Sequence, residues 1–472
     1  MRRIRIALWG LLAGLSVLWA IAYLPVIGFL TAHLGRSLFL QYTGVLAFGM
    51  MSVAMILALR SVWLDRWLNG LDKMYRLHKW LGIGALITAV THWGTVKAPH
   101  FASLVGLTER PPRPEGGRPG QGGSGGQRGP GNGQHEEPFA EIFGTNADPS
   151  AVETFLSNHH NTALHLGEWA FYGAVVLIAI ALITRIPYWL FAKTHTLIAV
   201  AYLMLTFHAM ALMTYATWTS PIGVVMGLLM VSGVSVAILT LTRQIGRGQK
   251  VAGTVQRLRQ FPTMNVTETE IELRDGWPGH SAGQFAFVTF DKAEGAHPFT
   301  IASAWDKTTR SILFISKALG DYTRDLPKAV EVGHDVVVEG PYGQFTFDDD
   351  KTNQIWIGAG IGITPFIARL KQLADQPDGK QIDLFHCVPT LAPEPQKLLE
   401  ADVAAAGAKL HLVLNDHDAK LSGERLRELV PDWSKASIWF CGPAGFGAAL
   451  RKDLTAHGLN PNDFHQEAFN MR

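Results

Sequence analysis

The sequence predicts a six-helix membrane domain, then a small antiparallel β-barrel, then a parallel-sheet α/β domain. Three observations carry this expectation. Six apolar stretches, near 6–30, 38–60, 77–97, 162–184, 190–215 and 219–242, each approach the roughly 20 helical residues that cross a hydrocarbon core. Beyond residue 247 the composition turns charged and mixed, as in a water-soluble chain. Within that half, short alternating strands give way to strand-and-helix alternation. The expected organisation is 1–245, 250–350 and 351–472.

The first stretch follows Arg2, Arg3 and Arg5, and Ala20-Ile21-Ala22 resembles a signal-peptide cleavage site. The apolar run continues through Val26, Ile27, Phe29 and Leu30, so a retained helix is expected. Arg60, Arg66, Lys73 and Arg76 lie between the second and third spans. Arg185 and Lys193 lie between the fourth and fifth, and Arg243, Arg247 and Lys250 follow the sixth. All fall on one side if the N-terminus is cytoplasmic. The expectation is a multi-pass inner (plasma) membrane protein, surrounded by lipid, with its soluble half in the cytoplasm.

A formal net charge of +2, with no clustered basic face, argues against nucleic acid as a partner. The two cysteines, Cys387 and Cys441, form no disulfide framework and suit a reducing compartment. The segment 98–160 is expected outside the membrane. Its centre, 111–138, is dense in Gly and Pro and cannot bury a core. His135-Glu136-Glu137 and His159-His160 read as solvated loop positions with weak chelating capacity.

Ionisable side chains at membrane depth are costly and call for a reason. The third span carries His78 and His92, 14 positions apart; the fifth carries His195 and His208, 13 apart. At about 1.5 Å rise per residue, each separation is roughly 20 Å. The two spans run in the same direction, so His78 sits level with His195 and His92 with His208. Two facing imidazoles at one level can ligate a haem iron axially, and two levels make two stacked b-type haems. One feature fits poorly. Thirteen residues return about 140° away from the starting face of an ideal helix. The fifth helix must be distorted or the haems differently angled.

In the soluble half, Asn265–Leu273, Gln284–Phe290, Ser311–Ser316 and Asp335–Glu339 read as strands of the barrel. Gln354–Ile357 reads as a strand, followed by Gly358-Ala359-Gly360-Ile361-Gly362-Ile363-Thr364-Pro365 and a helical pattern. Gln381–Cys387, Lys409–Leu414 and Ser437–Cys441 follow as further strands. A glycine-rich turn between strand and helix lets backbone N–H groups approach a pyrophosphate at the helix N-terminus. Its spacing departs from the G-x-G-x-x-G fingerprint.

These residues resemble the ferric reductase and NADPH oxidase superfamily over nearly the whole chain. The resemblance implies a membrane all-α six-helix haem bundle, an antiparallel β-barrel FAD domain and an α/β NAD(P)H domain of ferredoxin-reductase type. His297, Pro298, Phe299, Thr300 and Ser303 resemble its FAD-binding HPFT-x-x-S motif. Gly320 and Thr323 resemble the segment holding the FAD pyrophosphate, and Gly340, in Gly340-Pro341-Tyr342-Gly343, the turn at the end of the barrel. Gly358, Gly360, Gly362, Thr364 and Pro365 resemble the nicotinamide-dinucleotide loop. Cys441, Gly442 and Pro443 resemble the motif beside the nicotinamide, and Phe469 the terminal aromatic that covers the flavin. His78, His92, His195 and His208 match the family's haem ligands. Val388 and Pro389 follow Cys387 where NADPH-selective members often place an Arg, which leaves NADPH or NADH open.

Nicotinamide gives two electrons as hydride, a haem accepts one, and flavin does both. The expected path runs from NAD(P)H through FAD, the inner haem and the outer haem to an extracytoplasmic acceptor. O2 ranks first, as in a superoxide-producing oxidase. A ferric or cupric chelate, a quinone or a partner protein remain as alternatives; no motif marks a partner protein.

Overall fold

In a computed structural model, the residues described are 2–27, 32–104, 150–183, 185–414 and 420–467. The chain divides into two compact units. One takes in Met1–Leu59 and Leu77–Gln244, the other Arg60–Arg76 and Ile245–Arg472.

The first unit is helical. Its elements are α1 (Arg2–Ile27) and α2 (Ala32–Leu57), then, after α3 (Val62–Leu68) of the second unit, α4 (Leu71–Leu104), which begins in that unit. α5 (Ala151–Asn158), α6 (His160–Leu182), α7 (Tyr188–Thr196), α8 (Ile198–Leu212), α9 (Tyr215–Trp218) and α10 (Pro221–Leu241) follow. Among the described residues, five helical spans are long and apolar enough to cross a membrane: Arg3–Leu24, Leu34–Leu57, His160–Leu182, Trp189–Leu212 and Pro221–Leu241. The remaining expected span, 77–97, lies on α4. That helix has the length, 34 residues, but is interrupted by His78, Lys79, His92 and Lys97 and is less apolar than the other five. Within the expected outer segment 98–160, α4 runs to Leu104 and α5 starts at Ala151. The expectations for 111–138 and for His135, Glu136 and Glu137 lie outside the described residues.

Leu15, Val45, Phe48, Met55, Ala199, Tyr202, Met226 and Met230 form the core of this unit. Tyr202 is fully buried, yet its phenol is satisfied by Ser52 Oγ at 2.9 Å and the Leu229 carbonyl at 3.3 Å. Gly233 makes room for it, since a Cβ there would lie 2.0 Å from the phenol oxygen. Small residues permit this close approach where no hydrophobic force drives helices together. On α10, Val224, Leu228 and Val231 are exposed, as expected of a lipid-facing surface.

The second unit holds two sheets. β1 (Lys250–Phe261), β2 (Val266–Leu273), β3 (Phe285–Thr289), β4 (His297–Thr300), β5 (Ser311–Lys317), α11 (Asp321–Ala329) and β6 (Asp335–Tyr342) form the first part. Their strands make an antiparallel sheet of order β4-β3-β6-β1-β2-β5. An antiparallel bridge, Ile301↔Phe314, joins the two edges. β1 and β4 are strands beyond the four read from the sequence. Alternation buries Val255, Ile271, Val288, Ile312 and Val338 in one core.

β7 (Asn353–Ala359), α12 (Thr364–Asp375), β8 (Gln381–Val388), α13 (Pro393–Ala405), β9 (Lys409–Leu414), α14 (Gly423–Leu429), β10 (Ser437–Cys441), α15 (Ala444–Ala456) and β11 (Phe464–Glu467) form the second part. The sheet is parallel, of order β11-β10-β7-β8-β9. Its strands read as near-continuous apolar runs because helices cover both faces. Ile357, Phe385 and Phe440 are fully buried at its centre.

Candidate functional site

The structure brings His78 and His195 side by side and leaves His208 near enough to His92 to act on it electrostatically. The rings of His78 and His195 have centroids 5.8 Å apart with planes at 65°. His92 and His208 are electrostatic neighbours at the other level. Three Nδ1 atoms are held by backbone carbonyls: His78 to Ala54 at 2.8 Å, His92 to Leu40 at 3.1 Å and His208 to Ala163 at 2.9 Å. Such a bond fixes the tautomer and leaves Nε2 with its lone pair. Thr43 Oγ1 lies a further 3.1 Å from His92 Nδ1. The fourth, His195, has a buried Nδ1 with no partner among the described residues.

The 13-residue mismatch is answered by a break in the helix. α7 ends at Thr196 and α8 begins at Ile198. Leu197 donates to Thr194 and Val200 to Leu197, both three residues back. A turn of that kind advances faster than an α-turn, about 3.0 residues against 3.6. It therefore rotates His208 toward the face of His195, in the direction required. The hydroxyls of Thr194 and Thr196 bond carbonyls four residues back, a local pattern that bends helices.

In the antiparallel part, β4 presents His297-Pro298-Phe299-Thr300. His297 stacks on Tyr322 of α11, with centroids 3.7 Å apart and planes at 11°. Burial lowers the His297 imidazole to about 4, so at neutral pH its 3.8 Å approach to Glu294 is a polar contact and not an ion pair. Burial also pushes the Tyr322 phenol up. Phe299 is committed to the core against Phe290 and Phe314, so only its backbone can serve a ligand. Ser303 Oγ accepts from the Leu313 amide at 3.1 Å, and the Ser303 carbonyl accepts from His280 Nε2 at 3.0 Å. Thr323 Oγ1 accepts from the amides of Leu319 and Gly320, which fixes the turn into α11. Gly340 has φ +155° and packs against Trp277 and Ala286. Tyr322 carries no motif and was missed; only its position between Gly320 and Thr323 hinted at it.

In the parallel part, β7 and β10 are neighbours with Cys441 opposite Gly358. The chain after β7 turns through Gly360–Ile363 into α12, where Thr364 Oγ1 donates to the Ile361 carbonyl at 2.8 Å and Pro365 occupies the first turn. Gly362 is required by proximity: a Cβ would lie 2.2 Å from the Cys441 carbonyl oxygen. Gly360 has φ +59° and nothing within 4 Å of where a Cβ would stand. The helix N-terminus is thus open to a ligand on the Gly360 side and sealed on the Gly362 side. Gly442 lies close enough to Ala359 that a Cβ would meet it at 2.6 Å, and Pro443 precedes α15. Cys441 is fully buried, which pushes its thiol well up, so it is a neutral neighbour and not a nucleophile. His386, opposite Gly358 on β8, is buried and lowered to about 4. Phe469 lies outside the described residues.

Residues 43–206 match the family described as ferric reductase like transmembrane component, and residues 260–346 match the FAD-binding domain family. The first match takes in His78, His92 and His195, the second the 297–303 motif, Gly320, Thr323 and Gly340. A flavohemoprotein of Oceanobacillus iheyensis is 23% identical over 165 residues, 33% of this chain and 40% of that protein. An NADPH oxidoreductase of Mycobacterium tuberculosis is 27% identical over 246 residues, 49% of this chain and 63% of that one. NADPH oxidase 1 of Mus musculus is 32% identical over 111 residues, 22% and 18% of the two chains. The chain spans less than two thirds of the length of these curated relatives.

Proposed function

Because the chain belongs to the ferric reductase and NADPH oxidase superfamily, with a ferredoxin-reductase-type flavin module, we propose that it carries electrons from cytoplasmic NAD(P)H through FAD and two b-type haems to O2 outside the membrane. When bound, a flavin takes up a hydride and gives single electrons, and haem iron accepts them one at a time.

The observation that carries this reading is the paired arrangement of His78 with His195 and of His92 with His208. His78 and His195, with ring centroids 5.8 Å apart, are the residues that would hold a haem iron between them. The Nδ1 bonds of His78, His92 and His208 present Nε2 as the ligating atom. The buried, unpartnered Nδ1 of His195 is the exception.

In the flavin module, His297 and Thr300 on β4, with Pro298 and the Phe299 backbone between them, would hold the isoalloxazine and ribityl side. Ser303 fixes the strand's exit. The start of α11, its turn ordered by Thr323 beside Gly320, would hold the pyrophosphate. Gly358, Gly360, Gly362, Thr364 and Pro365 shape the nicotinamide-dinucleotide loop. Cys441, Gly442 and Pro443 would set the nicotinamide's distance to the flavin, and Phe469, outside the described residues, is the aromatic expected to cover the flavin. None of these groups moves a proton during hydride transfer; they orient and exclude water. The positive-inside pattern supports a cytoplasmic flavin module.

The test is the full-length purified protein. Two b-type haems and one FAD per chain are expected, with NADH and NADPH oxidation assayed separately against O2, a ferric chelate and a quinone. Superoxide-dismutase-sensitive dye reduction supports O2. Chelate reduction insensitive to dismutase moves the acceptor to metal. A preparation that folds and binds FAD but never holds haem overturns the electron path.

A further inference from the structure

One face of α3 is aromatic and exposed. Trp63 is 72% exposed, Trp67 44% and Val62 38%. Arg66, between the indoles, is exposed as well. At about 3.6 residues per turn these four positions fall within about 140° of one another. The opposite face is committed. Asp65 is 2% exposed and Leu68 1%, and Asp65 Oδ2 accepts from Gln344 Nε2 at 2.9 Å. Arg60, just before the helix, pairs with Glu339 at 3.0 Å. Asn69, at φ +63°, ends the helix, and its amide donates to the Arg66 carbonyl. These bonds fix which way the indoles face.

Within the second unit these two indoles are exceptions. Its other tryptophans, Trp277, Trp356, Trp433 and Trp439, are buried, and Trp305 is half-buried against the core of the antiparallel part. Neighbouring indoles left outside a fold mark a surface that meets something other than water. Their place in the chain says what that is. The apolar span Leu34–Leu57 ends just ahead of α3, and Leu71 opens α4 just after it. A chain leaving the hydrocarbon core enters the headgroup layer first. Tryptophan settles there because its ring is apolar and its N–H is polar. The matched transmembrane component, residues 43–206, takes in α2, α3 and most of α4's neighbours in sequence. A protein partner fits less well. Three apolar side chains on a seven-residue helix offer far less than the roughly 800 Å2 that each partner buries in a stable interface.

We propose that the face of α3 formed by Val62, Trp63, Arg66 and Trp67 is a lipid-binding surface. Its indoles sit at the boundary between headgroups and acyl chains. The proposal rests on the reading that the apolar helices cross a bilayer. A helix lying in that layer sinks its apolar face about 5–10 Å, a depth that indole rings reach while Arg66 stays among the headgroups. The other face of α3 holds Gln344 through Asp65, and the residue before the helix pair, Arg60, holds Glu339. Lipid on one side and the antiparallel part on the other make α3 a tether between the flavin-bearing unit and the membrane surface.

The experiment places a bimane label at Trp63→Cys, Val231→Cys or Lys435→Cys in the full-length chain, held in phosphatidylcholine nanodiscs. Cys387 and Cys441 are 6% and 0% exposed and stay unlabelled. Val231 is 69% exposed in mid-α10, and the Lys435 side chain is 75% exposed in the parallel part. A doxyl group near the headgroup end of the acyl chain should quench the label at 63 severalfold more than one at the chain's far end. The order reverses at 231, and neither lipid quenches at 435. Aqueous iodide should quench at 435 on the order of tenfold more than at 63. Iodide quenching at 63 equal to that at 435 overturns the proposal. So does a label at 63 shielded from iodide and from both doxyl lipids, as a protein neighbour would shield it. If Trp63→Cys fails to fold, Trp67→Cys is held to the same pattern. No doxyl quenching at 231 sinks the membrane reading itself; quenching at 231 with none at 63 sinks the lipid surface alone. The tether is read separately. Trp63→Ser with Trp67→Ser should speed amide exchange across 62–68 on the order of tenfold, with β10 unchanged. Unchanged exchange removes the tether.

Discussion

Gly167 and His208 occupy one another's space: a Cβ on Gly167 would lie 2.1 Å from His208 Nδ1 and 2.6 Å from its Cγ. One turn earlier on the same helix, the Ala163 carbonyl accepts that Nδ1 at 2.9 Å. α6 thus supplies both the slot for the imidazole and the bond that aims it. Gly167→Ala is expected to push His208 out of line and, on the proposed two-haem reading, to lower haem content by about half with FAD retained. Gly173→Ala, on the same helix with nothing within 4 Å, should be silent. Pyridine haemochrome against flavin absorbance measures both. Equal haem in the two variants would contradict the role given to His208.

The pairing of histidines was legible because membrane depth makes each one conspicuous and the two separations nearly match. The break at Leu197 was not legible. It depends on Thr194 and Thr196 bonding backward, and threonines in an apolar run carry no such signal. The glycine turn after β7 and the 297–303 motif were readable as local patterns. Glu467 and Asp65 were not, because a lone acid in sequence looks like a solvated one. Only the packing of 60–76 against the stretch following β6 removes them from water. β1 escaped notice because its Gln256, Arg257 and Gln260 face solvent and interrupt the apolar pattern.

Gly362→Ala tests the seal between the loop after β7 and the end of β10. The clash is with the Cys441 backbone, which cannot rotate away. Overpacking of this kind costs about 1–3 kcal/mol. NADH-driven flavin reduction should fall on the order of tenfold, with the flavin still bound, because the nicotinamide loop and Cys441 no longer keep their register. Gly360→Ala faces open space and should cost only its left-handed strain, about 1–2 kcal/mol. Stopped-flow flavin bleaching separates the two. A Gly362→Ala protein with unchanged NADH kinetics would remove this loop from the site.

Arg60→Ala tests the ion pair that fixes the segment 60–76. Glu339 is 2% exposed and pairs with Arg60 at 3.0 Å and Lys250 at 3.6 Å, while the Tyr342 hydroxyl donates to it at 2.8 Å. The Arg60 guanidinium also lies over the Phe287 ring at 4.7 Å. Removing one partner of a buried pair costs about 3–5 kcal/mol, since the other charge stays buried. Lys250 retains part of the compensation, so the lower end of that range is expected. The temperature of flavin release reports it. A release temperature within a degree of wild type would show that Lys250 and Tyr342 suffice.

The pH dependence of the flavin-bearing unit follows from four buried groups pulling in opposite directions. His280, His297 and His386 are each lowered to about 4 by burial, from an ordinary value near 6.5. Folded, they bind fewer protons than when unfolded, so their stabilisation is full above 6.5 and is lost as pH falls toward 4. Glu467 runs the other way. Burial first, then Asp72 and Asp65, raise it to about 8 from 4.5. Folded, it keeps a proton that the unfolded chain releases, so its contribution is full below 4.5 and is lost as pH rises to 8. Between 4.5 and 6.5 three histidines outweigh one glutamate and stability climbs. From 6.5 to 8 these three histidines are spent while Glu467 still acts, so its contribution pulls stability down. Flavin release should occur at its highest temperature near pH 6.5 and drop by a few degrees at pH 8.5. Glu467→Gln should hold level across that interval, since an amide does not titrate. A wild type that grows more stable from pH 6.5 to 8.5 would mean that Glu467 is already ionised in the folded chain.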